Sequence, residues 1–136
     1  MSKKITFKSI INYDHSKEEQ VIEFTAPVSI SQTDEFPVVF DFVEPSNQVR
    51  NMFEISDNLV NIIAGSQFIT LKKDQLANFP YSVSVDNKVL EMILQTRMYD
   101  LVISPNHYEI KYELYILNDS EKTKTGDFHI TLKISE

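Results

Sequence analysis

The 136-residue sequence contains no cysteine, no tryptophan and only two glycines. The absence of cysteine excludes disulfide bonds, thiolate catalysis and cysteine-ligated zinc sites. No glycine-rich loop of the kind that cradles phosphate is present, and no serine lies in the Gly-x-Ser-x-Gly turn of hydrolases. The sequence therefore carries no catalytic signature, and we expect a protein that is not an enzyme.

Basic residues are in the minority, with 13 Lys and Arg against 20 Asp and Glu and a formal net charge of −7. Nucleic-acid binding relies on Lys and Arg to neutralise phosphates, so this balance predicts that nucleic acid is not a partner. The three histidines, His15, His107 and His129, are far apart in the sequence and show no spacing typical of a metal site. We predict neither a metal nor a cofactor.

Long apolar runs are also missing. The longest uncharged stretch, Asn58–Leu71, is too short and too polar to cross a bilayer. The N-terminal segment Met1–Ile10 alternates polar and apolar residues, whereas a signal peptide needs a continuous apolar run. The expectation is a single cytoplasmic domain over residues 1–136 without a membrane span, and the pattern does not indicate an oligomeric state.

Alternation of apolar and polar residues is the strongest pattern that the chain does contain. Every second residue is apolar from Tyr108 to Ile116, and the same period recurs from Phe128 to Ile134. A period of two places one side of a strand in a core and the other side in water. These segments are therefore predicted to be half-buried strands.

Turn signals divide the alternating segments into short strands. Turns are predicted at Ser56–Asn58, Gly65–Ser66, Asp86–Asn87 and Ser104–Asn106, and the one helix candidate is a single turn at Lys72–Asn78. About eight to ten strands result, with the spacing typical of a sandwich or a closed barrel. Consecutive hairpins favour an antiparallel up-and-down barrel, because closure removes exposed strand edges.

Three stretches of the sequence resemble the YwiB-like proteins, a family of small bacterial proteins of unknown function. The stretches are VRNMFEISDNLVNIIAGSQFITLKK (Val49–Lys73), VLEMILQT (Val89–Thr96) and YEIKYEL (Tyr108–Leu114). The matching motifs include Thr96, Tyr112 and the hairpin glycine Gly65, while Ala64 stands where the family often has an arginine. The resemblance implies an all-β, lipocalin-like (calycin-type) barrel and leaves the function open.

A barrel of this size either is filled by its own side chains or holds one small molecule. Tyr112 and Thr96 have hydroxyl groups on the apolar side of their strands, and Met98 lies on the same side as Thr96. A buried hydroxyl needs a hydrogen-bond partner, which a packed core or a ligand can supply. One hypothesis is that Tyr112, Thr96 and Met98 contact a small, largely apolar molecule in the barrel. The alternative is a structural or protein-interaction module with a filled barrel.

The tripeptide Arg97-Met98-Tyr99 has the residue types with which fatty-acid binders hold a carboxylate, but it is two hairpins from the C-terminus. Arg97 and Tyr99 lie on the polar side of their strand. We predict that they face outwards and that Arg97 forms a cross-strand ion pair with Glu109 or Glu113.

Overall fold

The computed structural model describes residues 2–14, 18–118 and 121–136. It is an antiparallel ten-stranded sheet, and no helix occurs in those three ranges. The strands are β1 (Lys3–Tyr13), β2 (Glu19–Ser31), β3 (Val38–Val43), β4 (Arg50–Ile55), β5 (Leu59–Ala64), β6 (Gln67–Lys72), β7 (Leu76–Val85), β8 (Lys88–Ser104), β9 (His107–Asn118) and β10 (Glu121–Ser135). No helix of the described residues is long and apolar enough to span a membrane.

The strand order is that of an up-and-down barrel. Neighbouring strands in the sheet follow one another in the sequence, and β1 pairs with β10 to join the two ends of the chain. In the described residues, β6 and β7 are consecutive strands that share no ladder. The barrel is therefore nearly closed, and we call the junction between β6 and β7 the seam.

The predicted turns are confirmed. Asp86 and Asn87 both have positive φ angles, of 50° and 62°, which suit the two-residue hairpin between β7 and β8. Gly65, with a φ of 61°, occupies the equivalent left-handed position between β5 and β6. Ser56 donates its amide hydrogen to the carbonyl of Leu59 at 2.9 Å and so closes the turn before β5.

The predicted helical turn at Lys72–Asn78 is wrong. Lys72 ends β6, and Asp74 turns the chain with a φ of 55° before β7 begins at Leu76. From Ala77 to Val85 the residues of β7 alternate between apolar and polar, and Pro80 lies on the polar side of the strand. Proline cannot continue a helix and is tolerated in a sheet mainly at an edge, which is the position of β7 beside the seam.

Apolar side chains fill the centre of the barrel. Every strand except β7 contributes to one buried cluster among the described residues. Phe7, Phe24, Phe42 and Phe53 pack against one another at ring-centroid distances of 5.0–6.2 Å. The largest fully buried side chains are Phe40, Phe53, Ile5, Ile55, Leu71, Met98, Ile110, Leu132, Val60 and Thr96.

Candidate functional site

The three residues predicted from the sequence to contact a ligand are brought together inside the barrel. Thr96 and Met98 are both completely buried on β8, and Tyr112 of β9 is 4 % exposed. Met98 is the direct cross-strand partner of Tyr112. The alternation in the two strands therefore predicted correctly that these side chains face the interior. Their proximity alone is not evidence that they bind a ligand.

The hydroxyl group of Thr96 holds the two sides of the seam together. Its Oγ1 donates a hydrogen bond of 2.7 Å to the backbone carbonyl of Thr70 in β6. Because β6 has no ladder on this side, the carbonyl would otherwise be an unpaired acceptor at a strand edge. Thr96 thus supplies a hydrogen bond that a neighbouring strand supplies elsewhere in the sheet.

Tyr112 is packed against aromatic neighbours. Its ring stacks on Phe128 with centroids 4.8 Å apart and an angle of 5° between the ring planes. Phe128 in turn meets the edge of Tyr13 at 6.4 Å. Burial raises the pKa of the Tyr112 phenol well above its usual value, so this side chain is neutral at physiological pH.

A cavity of about 560 Å³ opens in the seam. One wall is formed by Ser66 and residues 67–69 of β6, and the other by residues 79–82 of β7. Leu94 of β8, which is the cross-strand partner of Phe79, also lines the cavity. We call this space the seam cavity.

The lining of the seam cavity combines an apolar floor with a polar rim. Ile69, Phe79 and Leu94 lie on the inward sides of their strands, in phase with the buried Leu71, Ala77 and Thr96 respectively. Polar groups at the opening come from Ser66, Gln67, Tyr81 and Ser82, and none of the nine lining residues is charged. The cavity therefore suits an apolar group with a small polar end.

Tyr81 and Gln67 meet across the opening of the seam cavity. The amide Nε2 of Gln67 donates to the hydroxyl oxygen of Tyr81 at 3.3 Å. One residue comes from β6 and the other from β7, so this side-chain bond bridges the two strands that lack a ladder. Sequence reasoning missed this pair, because alternation identifies the inward side of a strand but not the junction at which pairing stops.

The predicted centre of the barrel and the seam cavity are adjacent but distinct. Tyr112, Thr96 and Met98 do not line the seam cavity. Leu94 precedes Thr96 by two residues and lies on the same side of β8. Leu94, which lines the seam cavity, is thus the inward-facing residue next to Thr96 of the predicted site.

A second cavity, of about 440 Å³, lies farther along the seam near the turn between β6 and β7. Its lining includes Lys72 together with Asn78 and Gln95, and Gln95 Nε2 donates to Asn78 Oδ1 at 2.9 Å. Within the described ranges, the buried Gln95 Oε1 has no hydrogen-bond partner. The lining of this second cavity includes a basic residue, Lys72, whereas that of the seam cavity is uncharged.

The outward orientation predicted for Arg97 is confirmed. Arg97 pairs with Glu113 across β8 and β9, and the other carboxylate oxygen of Glu113 accepts a hydrogen bond of 2.5 Å from the Tyr115 hydroxyl. Lys124 Nζ lies 3.5 Å from the same oxygen. The hydrogen bond from Tyr115 and the nearby Arg97 hold the pKa of Glu113 below its usual value. Glu113 therefore belongs to an ionic network on the outside of the barrel.

Two of the three histidines flank one carboxylate on the outside of the sheet. His129 Nε2 lies 3.1 Å from one oxygen of Glu109, and His107 Nε2 lies 3.5 Å from the other. These contacts lower the pKa of Glu109, and the hydrogen bond with His129 makes the largest contribution. In the described part of the chain no three His, Asp or Glu residues form a group that could hold a metal ion, and His15 lies outside it.

Comparison with known proteins gives a structural likeness alone. No protein-family model matches the sequence, and no curated protein is significantly similar to it. The crystal structure of the ywiB protein from Bacillus subtilis matches with a TM-score of 0.63 and 14 % sequence identity, over 99 % of this chain and 92 % of that chain. At this identity the likeness shows a shared fold, so the chain has the all-β barrel fold of the ywiB protein.

Proposed function

We propose that the protein is a non-enzymatic binding module that holds a small, largely apolar molecule in the seam cavity. The observation that carries the proposal is a cavity of about 560 Å³ with an apolar floor beside a barrel centre filled by side chains. Pockets for small molecules typically measure about 300–1,000 Å³ and are lined mainly by apolar groups with a few polar ones. The filled barrel serves as the rigid frame of the site.

The proposal moves the ligand away from the centre of the barrel. The hydroxyl of Thr96 already has a partner in Thr70, and the ring of Tyr112 is stacked on Phe128. A ligand would reach Tyr112 and Met98 only by extending inwards past Leu94. Contacts of Tyr112, Thr96 and Met98 with a ligand therefore stay a prediction, and their supported role is to pack beneath the site.

A protein-interaction module is the second candidate function. Large apolar side chains are exposed on the strands near the seam, among them Phe68 of β6 at 51 % and Ile93 of β8 at 47 %. At the far end of the β7–β8 hairpin, Val89 and Leu90 are also exposed. Contiguous exposed apolar surface often marks a site for another protein. A partner that covers this surface would also cover the opening of the seam cavity.

Two tryptophan variants on one strand test the first candidate. Ser82 lines the seam cavity, whereas Ser84, two residues along and on the same side of β7, does not. We expect Ser82→Trp to fill the opening and abolish the binding of eight-carbon esters and alcohols measured by calorimetry, while Ser84→Trp retains it. Equal loss in both variants, or no binding to the unmodified protein, would contradict the proposed site.

The remaining sequence-based expectations stay predictions. The resemblance to YwiB-like proteins implies a lipocalin-like kinship and a bacterial source, and the N-terminal pattern implies a cytoplasmic location. Detection of native ligands or partner subunits by native mass spectrometry of freshly purified protein would separate the two candidate functions. A retained small molecule favours the first, and a partner protein held without one favours the second.

A further inference from the structure

We infer that the ligand of the seam cavity carries an uncharged hydrogen-bond acceptor, such as an ester, a ketone or an alcohol, and not a carboxylate. The inference rests on the proposed function, and it assigns the class of ligand from the charges and hydrogen bonds at the rim. It also assigns Tyr81 as the residue that recognises the polar end of the ligand.

The charges around the seam cavity are unsuitable for an anion. None of its lining residues is a Lys, Arg or His that would neutralise a carboxylate. Lys72, the basic residue of β6, lines the separate cavity near the turn. The formal net charge of −7 adds a repulsive field around the whole molecule. An anionic end group at the rim would therefore be held less tightly than an uncharged one, because no cation there offsets its charge.

The hydrogen bonding of Tyr81 leaves one donor available to a ligand. Gln67 Nε2 donates to the Tyr81 hydroxyl oxygen, so the bond does not use the hydroxyl hydrogen of Tyr81. Among the described residues no acceptor for that hydrogen is within hydrogen-bonding distance. Tyr81 is partly buried at the opening, with Phe79 beside it on the apolar floor. An acceptor oxygen at the end of an apolar chain would satisfy this donor.

The test compares methyl octanoate with octanoate, which share an apolar chain and differ in charge. We expect the ester to bind at least about tenfold more tightly than the ion at neutral pH. Tyr81→Phe removes only the hydroxyl group and should weaken ester binding by about three- to tenfold, which is the range of one neutral hydrogen bond. Both affinities are measured by isothermal titration calorimetry.

A charge-insertion variant tests the same inference by gain of affinity. Ser66 lies in the turn before β6 and lines the seam cavity, so Ser66→Lys adds a cation at its rim. We expect octanoate affinity to rise several-fold, since a cation near the opening offsets the charge of the ion. The matched control is Ser31→Lys, which makes the same change in net charge at the exposed end of β2, four strands away from β6 in the sheet, and should leave octanoate affinity unchanged.

The outcomes separate the inference from the proposed function. Octanoate binding as tight as that of the ester, or ester binding unaffected by Tyr81→Phe, would overturn the inference. If Ser82→Trp still abolished binding in that case, the seam cavity would remain the site. Failure of both compounds to bind the unmodified protein would overturn the proposed function and the inference together.

Discussion

Among single residues, Thr96 shows how a buried polar group serves the barrel where backbone pairing is interrupted. Its hydroxyl lies in the apolar interior but donates to the Thr70 carbonyl on the unpaired edge of β6. Tyr112, in contrast, contributes mainly through its stacked ring. The structure gives each of these two residues a role in packing.

Replacing Thr96 by valine keeps the branched shape and removes the hydroxyl. The Thr70 carbonyl then loses its partner, and we expect the free energy of unfolding to fall by about 1–3 kcal/mol in urea denaturation. The control is Thr6→Val, which removes an exposed hydroxyl contact with Thr25 and should change stability by less than about 0.5 kcal/mol. Similar losses in the two variants would contradict a special role for Thr96 at the seam.

The Tyr112→Phe variant distinguishes a core residue from a ligand contact. We expect ester binding to stay unchanged, because Tyr112 does not line the seam cavity, and stability to change by at most about 1.5 kcal/mol, since the ring stays stacked on Phe128 and only its hydroxyl is lost. Thermal denaturation and calorimetry measure the two quantities on the same sample. Unchanged stability with a tenfold loss of affinity would show instead that the ligand extends into the barrel centre.

The lowered pKa of Glu113 predicts a pH dependence of stability. Its carboxylate is favoured in the folded state by the Tyr115 hydroxyl and by Arg97, so folding is stabilised while the group is ionised. This contribution is fully present above the ordinary value of 4.5 and is lost as the pH falls through the lowered folded-state pKa.

Glu113→Gln makes this dependence measurable. We expect the variant to be less stable than the unmodified protein at pH 7 and the difference to shrink at pH 3. Urea denaturation at both pH values measures it, with the exposed Glu91→Gln as a control for the change in net charge. A difference that is the same at pH 7 and pH 3 would show that the ionised carboxylate is not the cause.

The individual strands differ in how far the sequence specifies them. The turns predicted at Ser56–Asn58 and Gly65–Ser66 fix both ends of β5 and the start of β6, as the structure shows. In β7, apolar and polar residues alternate from Ala77 to Val85, but the first residues of the strand fall within the helical turn predicted at Lys72–Asn78. The prediction therefore failed at the start of an edge strand, where the tight turn at Asp74 leads directly into β7.

The candidate site depended on information that no single strand contains. Parity placed Thr96, Met98 and Tyr112 inside the barrel correctly. The seam cavity arises because β6 and β7 diverge, and the pairing of two histidines with Glu109 arises from the register of β9 and β10. Both features depend on how separate strands pack together. The alternation of apolar and polar residues within one strand does not reveal that packing.

Strand β10 joins the two halves of the barrel, since it pairs with β1 on one side and β9 on the other. Deletion of Thr125–Glu136 removes the buried Ile130, Leu132 and Ile134 and exposes two strand edges. We expect an unfolded or aggregating product by circular dichroism and size-exclusion chromatography. Deletion of residues 135–136 alone, which are exposed, should leave a cooperative unfolding transition. Cooperative unfolding of the longer truncation would contradict this role.

The whole molecule combines a filled, nearly closed barrel with a single junction that lacks a ladder among the described strands. Packing in the centre resists deformation, whereas the seam is held by side-chain bonds such as Thr96 to Thr70 and Gln67 to Tyr81. The same junction contains the seam cavity, and the exposed Phe68 is part of the lining. The proposed binding site therefore lies at the junction where backbone pairing does not close the barrel.

The most direct measurement is the mapping of amide chemical-shift changes in isotopically labelled protein during titration with methyl octanoate. If the ligand occupies the seam cavity, the largest changes should fall on Phe68, Ile69, Tyr81 and Leu94. Changes concentrated on Met98 and Tyr112, or no changes at saturating ester, would contradict binding in the seam.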